Sequence, residues 1–219
     1  MSIHLLLEET LGPLNRKQTE LLVAAREESE RLTGIVEELL DLNRMESGRT
    51  LLDIESISPQ ELVRDSLEPF LVEARDRGVS LANAVRDDLP EVFGDAKRLQ
   101  HVMANLLSNA LRFTDPGGEV SVSAEAEPGM VRVTVTDTGP GIAERDVNRV
   151  FEPFYRVPGQ GKSSGIGLGL AIVKEIIRTH GGSVGVTSTT GKGSAFWFTL
   201  PQADIARQPA EVATRESRE

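Results

Sequence analysis

The sequence predicts a mixed α/β domain preceded by a helical hairpin or coiled-coil segment, and three observations carry that prediction. Residues 1 to about 48 show no strand alternation, and from about Leu14 to Met45 the apolar positions recur close to every seven residues. From about Arg49 to Gln202, helical stretches interleave with short segments that alternate apolar and polar residues, as half-buried strands do. With 219 residues, 39% hydrophobic and 26% charged, the chain can build one good core and a small second module.

The first stretch, "IHLLLEETLGPLNRKQ", reads as the end of one helix, a turn at Gly12-Pro13 and the start of another. The second helix runs from about Leu14 to Met45. Ala25, Leu32, Ile35, Leu39, Leu42 and Met45 form its seam, and Glu46-Ser47-Gly48 ends it. A long seam beside a stub of a partner helix cannot bury itself, so it needs a second chain or a longer first helix. "SPQELVRDSLEPFLVEA" opens a helix with Ser58 as cap, Pro59 in the first turn and Glu61 as a capping-box carboxylate. "GDAKRLQHVMANLLSNALRF" is a second helix capped by Asp95. "EVSVSAEA", "MVRVTVTD", "SVGVTST" and "SAFWFTLP" are strands, and "LGLAIVKEIIRTHGG" is a third helix closed by Gly181-Gly182. A polar, Gly/Ser-rich stretch lies between Ala143 and Gly165. The tail after Pro201 has little to bury and is expected to be disordered. The expected domains are therefore 1–48, 49–202 and a tail, 203–219.

Bulk properties narrow the function. A net charge of −10 argues against a nucleic-acid surface, which needs a lysine and arginine stripe. Without cysteine there is no disulfide and no thiolate metal site. No apolar run reaches the length of a membrane span and no signal-peptide pattern follows Met1, so no membrane contact of its own is expected.

The candidate site begins with an oddity. Asn105 and Asn109 occupy an otherwise apolar helix, at roughly half a kcal/mol each relative to alanine. Helical spacing puts Arg98, His101, Asn105, Ser108, Asn109 and Arg112 on one stripe, and Leu99, Val102, Met103, Leu106, Leu107 and Ala110 on the other. Taken alone, the polar stripe is as well read as a solvated face. The segments C-terminal to it favour a ligand. "VTVTDTGPGI" runs a strand into Asp137, Gly139 and Gly141: a carboxylate able to accept from an exocyclic amine, then backbone that a flat ring can approach. "SSGIGLGLAIV" sets Gly165, Gly167 and Gly169 at a helix start, where free N–H groups and the positive dipole end suit phosphate. "TTGKGSAFWFTLP" is a glycine hairpin that reads equally well with no ligand role. A Rossmann fingerprint is excluded because Gly165 follows a loop, and a Walker A motif because Arg156 stands where its first glycine belongs.

"NLLSNALRF", "DTGPGI", "FEPFYR", "GIGLGLAIV" and "GKGSAFWFTLP" resemble, in order and spacing, the N, G1, F, G2 and G3 boxes of sensor histidine kinases, part of the gyrase, heat-shock chaperone and MutL ATP-binding superfamily. The resemblance covers roughly residues 49 to 202, and "ERLTGIVEELLDLNRMESGR" resembles the second helix of the kinase dimerisation domain. It implies a two-layer α+β sandwich of the Bergerat type, a mixed sheet with three main helices, and ATP with Mg²⁺ as cofactors. Asn109 would coordinate the metal, a hard cation that prefers oxygen. Asn105 and Arg112 would lie near the phosphates, Phe113 against the adenine, and Asp137 would accept from the adenine amine. Gly139, Gly141 and Ile142 would line the base pocket. Gly165, Gly167, Leu168, Gly169 and Leu170 would cradle the phosphates, with Ser194 also in the ATP-binding set. Ala143 to Ser164 would form a mobile lid, with Phe151, Phe154, Tyr155 and Arg156 anchoring it or reaching the nucleotide, and Lys162 either touching phosphate or solvated.

In the superfamily's hydrolases a glutamate replaces Asn105, and an amide cannot act as a general base. The pocket is thus expected to hold ATP and present its γ-phosphate rather than hydrolyse it. The family's phosphoacceptor box, of the His-Glu-Leu-Arg-Thr-Pro type, is not found: His4 precedes "LLLEE", His101 lies on the polar stripe, and His180 reads as a helix-end residue favoured by the dipole. The expected protein is a cytoplasmic, catalytic piece of a sensor kinase, unable to phosphorylate itself, from a parent that can be anchored in the bacterial inner membrane. Its expected partners are a second copy through the N-terminal helices and, through the parent, a response-regulator receiver domain. The competing readings are a superfamily ATPase, an anti-sigma-type serine kinase, and a non-catalytic nucleotide-binding or dimerisation module.

Overall fold

The computed structural model describes residues 6–8, 12–46, 52–158 and 166–203. The chain forms two compact units, Met1–Arg44 and Met45–Glu219. Gly165, Lys162, His4 and the tail from 204 lie outside the described residues.

The first unit is built on helix α1 (Arg16–Glu46). The residue before it makes a reciprocal cap: Asn15 Oδ1 accepts from the Gln18 N–H at 3.0 Å, and Gln18 Oε1 accepts from the Asn15 N–H at 2.9 Å. Leu21, Leu32, Val36 and Leu40 are all more than half exposed, so α1 carries an apolar surface that its own unit does not cover.

In the second unit, Ser58 opens α2 (Pro59–Leu67), its Oγ accepting from the Glu61 N–H at 3.4 Å, with Pro59 where its missing N–H costs nothing. Pro69 then breaks the expected single helix into a 3₁₀ turn and α3 (Leu71–Asp76), because a proline nitrogen cannot continue the ladder. Helix α4 (Ala96–Phe113) starts at Asp95, whose Oδ1 accepts from the Arg98 N–H at 3.1 Å and whose Oδ2 accepts from the Asp53 N–H at 3.2 Å. Three short strands escape the alternation pattern: β1 (Glu55–Ile57), β2 (Ser80–Asn83) and β3 (Val92–Gly94). β1 and β3 form a separate antiparallel pair. β2 runs parallel to β4 (Glu119–Glu127) at the edge of the main sheet.

That sheet has the order β2-β4-β5-β7-β6, with β5 (Met130–Asp137), β6 (Val184–Thr189) and β7 (Gly193–Pro201) pairing antiparallel. Helices α2, α4 and α6 (Gly169–Thr179) pack side by side, with α4 and α6 against the sheet. The architecture is the mixed sheet with three main helices that the sequence predicts. Leu99, Met103, Leu107 and Leu111 of α4 are buried with Ile172, Ile176 and Ile177 of α6. Val131, Val133 and Val135 of β5 and Phe198 and Leu200 of β7 are equally buried. Each such side chain contributes roughly 1.5–3 kcal/mol by leaving water. On alternate positions of β5 and β7, Arg132 lies 4.1 Å above the Trp197 ring and 2.5 Å from Glu127.

Candidate functional site

The polar stripe of α4 falls as the helical spacing predicts. Leu99, Val102, Met103, Leu106, Leu107 and Ala110 are buried, while Arg98, His101, Asn105, Asn109 and Arg112 are half-buried and Ser108 is exposed. The amides are therefore neither core nor fully solvated.

Asn105 uses its amide nitrogen locally, donating to the His101 carbonyl at 3.1 Å. Its oxygen faces Gly169, the first residue of α6: a Cβ there would sit 2.5 Å from Asn105 Oδ1. The glycine at that helix start thus permits α6 to begin directly over the asparagine stripe. One turn on, Asn109 Oδ1 accepts from Arg112, whose guanidinium also lies 5.1 Å from the Phe113 ring centre. Arg112 Nε is buried and has no hydrogen-bond partner. Burial, then repulsion from Arg156 and from Arg77, hold Arg112 below its ordinary pKa. A partly desolvated guanidinium with two further cations bearing on it favours an incoming anion. Arg77 lies outside all five boxes; only folding places the end of α3 beside the end of α4, where the Gly117 N–H donates to the Gly78 carbonyl at 2.8 Å.

The base-side loop leaves the end of β5. Asp137 is 6% exposed, and its Oδ1 accepts from the Gly139 N–H at 2.8 Å. Burial raises its carboxyl above the ordinary value, opposed by the backbone N–H groups of Gly139 and Ser194. Gly139 lies against the Phe113 carbonyl, which a Cβ would meet at 2.6 Å, so the end of α4 and the loop after β5 touch through backbone. At Gly141, where φ is 69°, a Cβ would collide with the Thr189 carbonyl, so the loop closes onto the end of β6. These glycines have an intramolecular reason beyond the approach of a ligand.

Ser188 is a site residue that sequence reasoning missed. Its Oγ accepts from the Ile142 N–H at 2.8 Å and donates to the Gly193 carbonyl at 2.8 Å. With its one proton so used, the Ser194 hydroxyl at 3.0 Å must donate to it. No sequence signal marks a serine in an alternating strand; the pairing Ser188↔Ser194 supplies the role.

The phosphate-side residues divide. Gly167 (φ 85°) and Gly169 flank Leu168, which is 1% exposed, while Leu170 is half-buried. The described part of the expected lid, through residue 158, is anchored at a few points and otherwise exposed, as at Glu144, Arg149, Glu152 and Phe154. Asp146 in α5 (Glu144–Val147) is 5% exposed, Tyr155 donates to it at 2.6 Å, and Phe151 meets Phe196 edge-on at 6.3 Å. Arg156 comes next in the chain, close enough to Arg112 to perturb it.

Asn105, Asn109, Arg112, Phe113, Asp137, Gly139, Gly167 and Gly169 thus border one region, between α4, the loop after β5 and the start of α6. Gly141, Ile142 and Ser194 close the β6 and β7 side. Among the described residues no three His, Cys, Asp or Glu gather to hold a metal. Magnesium needs no such cage when phosphates and water complete its shell, so a single amide oxygen fits it.

Residues 94–204 match the family described as histidine kinase-, DNA gyrase B- and HSP90-like ATPase. The alginate biosynthesis sensor protein KinB of Pseudomonas aeruginosa is 35% identical over 201 residues, covering 92% of this chain and 33% of that protein. Sensor histidine kinase ZraS of Escherichia coli K12 is 34% identical over 198 residues, covering 90% and 41%. The crystal structure of full-length ShkA in complex with AMPPNP superposes with a TM-score of 0.79 at 34% identity, covering 90% of this chain and 41% of ShkA. The chain spans about a third of the length of the curated relatives it matches.

Proposed function

The chain belongs to the histidine kinase-, DNA gyrase B- and HSP90-like ATPase family, with sensor histidine kinases among its relatives, and on that basis we propose that it binds Mg-ATP and presents the γ-phosphate to a protein histidine supplied by another segment or chain. The observation that carries this reading is the contact of Asn105 Oδ1 with the first residue of α6, which sets an amide stripe against a glycine-opened helix start.

In this reading Asp137 accepts from the adenine amine, and Gly139, Gly141 and Ile142 border the ring, with Phe113 alongside. Gly165, Gly167, Leu168, Gly169 and Leu170 hold the phosphates through backbone N–H groups. Ser194 acts from behind Asp137. Asn109 Oδ1, which accepts from Arg112, would hold the metal, whose chemistry would be to neutralise phosphate charge, and the buried, unpartnered Arg112 Nε would be a donor for phosphate. Tyr155 and Arg156 frame the phosphate end. Asn105 offers no carboxylate to activate water, so hydrolysis should be slow.

The chain is not expected to label itself. His180 is 7% exposed with both ring nitrogens engaged, and His101 sits half-buried in α4. Exposed Leu32 and Leu39 on α1 support a homodimer through the N-terminal helices, and the phosphohistidine would serve a response-regulator receiver domain.

The test supplies γ-labelled ATP, Mg²⁺ and a separate helical fragment carrying a histidine phosphoacceptor box. Acid-labile, base-stable label on the fragment is expected. Label on this chain alone, or rapid steady-state release of phosphate with none on the fragment, overturns the reading.

A further inference from the structure

We propose that Tyr155 is a positioning residue: clasped by Asp146 through its hydroxyl and seated on Gly167 through its backbone, it sets the start of α6 against the base-side loop without itself needing to touch nucleotide. The proposal rests on the reading that this chain binds ATP.

The clasp is specific. Asp146 lies in α5, four residues after Ile142, and its buried Oδ1 takes the Tyr155 hydroxyl at 2.6 Å. Arg145 Nε stands 3.6 Å from its other oxygen. Arg149 covers the Tyr155 ring at 4.1 Å and lies 3.3 Å from Glu152. The short bond from the phenol to a buried carboxylate is the directional part of the joint; the exposed Arg145 adds only a loose charge contact to the other oxygen.

The second half of the joint is backbone. The Phe154 N–H donates to the Gly167 carbonyl at 2.8 Å. A Cβ on Gly167 would fall 2.6 Å from the Tyr155 carbonyl, so only glycine lets these segments meet. Phe154 itself sits at φ 65°, a conformation that a bulky residue holds only when its surroundings enforce it. Its side chain is 58% exposed and does not supply that force. The backbone on both sides is held instead: the Phe154 N–H by Gly167, the Tyr155 N–H by the Glu152 carbonyl at 3.2 Å, and the Tyr155 side chain by its clasp on Asp146. Beyond Gly167, buried Leu168 leads to Gly169 and so to Asn105. An unbroken run of contacts therefore joins Asp146, beside the base-side loop, to the asparagine stripe.

The chain contains one tyrosine, so tyrosinate absorbance reports Tyr155 alone. Its hydrogen bond to Asp146, with burial and the charges of Asp146 and Glu152, raises the phenol above its ordinary value against the opposing pull of Arg149. The wild-type chain should ionise later than free tyrosine, and Asp146→Asn should bring the transition back. Tyr155→Phe keeps the ring and loses the clasp. It should bind ATP roughly three- to tenfold more weakly, as one lost hydrogen bond allows, while binding adenosine as wild type does, since the base-side loop is untouched. The Tyr155→Phe/Asp146→Asn pair should lose no more than the larger single change. Unchanged ATP affinity in Tyr155→Phe, an equal loss for adenosine, or a tyrosine that titrates as if free overturns the inference. Absence of ATP binding by the wild-type chain instead refutes the nucleotide reading on which it stands.

Discussion

In the proposed function Asp137 serves ligand and fold in opposite directions. Burial raises its carboxyl pKa, so the folded state holds that proton more tightly than the unfolded chain. The associated stability is complete below the unfolded carboxyl's pKa, near 3.8, and is lost as pH rises through the folded value. At neutral pH the charge is a cost to the fold. Asp137→Asn keeps the acceptor for the Gly139 N–H and removes that charge. It should melt at or above the wild-type temperature at pH 7, with the advantage shrinking as pH approaches 4. The same change should weaken ATP binding about tenfold or more, the worth of a charged hydrogen bond of about 1.5–3 kcal/mol. Calorimetry across pH together with a nucleotide titration checks both signs. Ser188 is the opposite case. It acts through three bonds that depend on which strands pair, so its role was invisible in the sequence, whereas the candidate role of Asp137 was visible because a carboxylate at a strand end followed by glycines is a local pattern.

At the scale of elements, His180 ties two helix ends together. Its Nε2 accepts from the Asp95 N–H at 3.0 Å and its Nδ1 lies 2.7 Å from the Ile176 carbonyl. An acceptor on one nitrogen and a donor on the other describe a neutral ring with the proton on Nδ1. The sequence reads His180 as a helix-end residue favoured by the dipole, and the structure makes it the C-cap of α6 with its Nδ1 on a last-turn carbonyl; what only the fold adds is the bond from the Asp95 N–H, which clips the end of α6 to the start of α4. His180→Phe should lower stability by about 1–3 kcal/mol, the cost of a buried N–H left without a partner. His180→Gln, which can still accept, should recover part of that loss in urea denaturation. The helices α4 and α6 were legible because an amphipathic period and caps are local signals. β1, β2 and β3 were not: each has three or four residues, too short for alternation to register, and each is defined by its partner.

For the whole molecule, the exposed leucines of α1 are the feature that isolation leaves unexplained. Leu32 is 56% exposed and Leu39 37%, on the seam that the seven-residue period predicts. Replacing both with glutamate should shift the chain from dimer to monomer in sedimentation while leaving nucleotide affinity unchanged, because the second unit carries its own core. A wild-type chain that sediments as a monomer at micromolar concentration would remove the homodimer from the proposed function.

Local sequence was enough to set the mixed α/β class, the three principal helices, the four long strands and the polar stripe of α4. Each of these follows from periodicity, caps or turn residues within a few positions of one another. Long-range contact was needed for the parallel edge strand, the Ser188 knot, the His180 clip, the approach of Arg77 to Arg112 and the Asp146–Tyr155 clasp. These depend on backbone segments from different parts of the chain meeting at van der Waals distance, and no local signal records where a chain will cross itself.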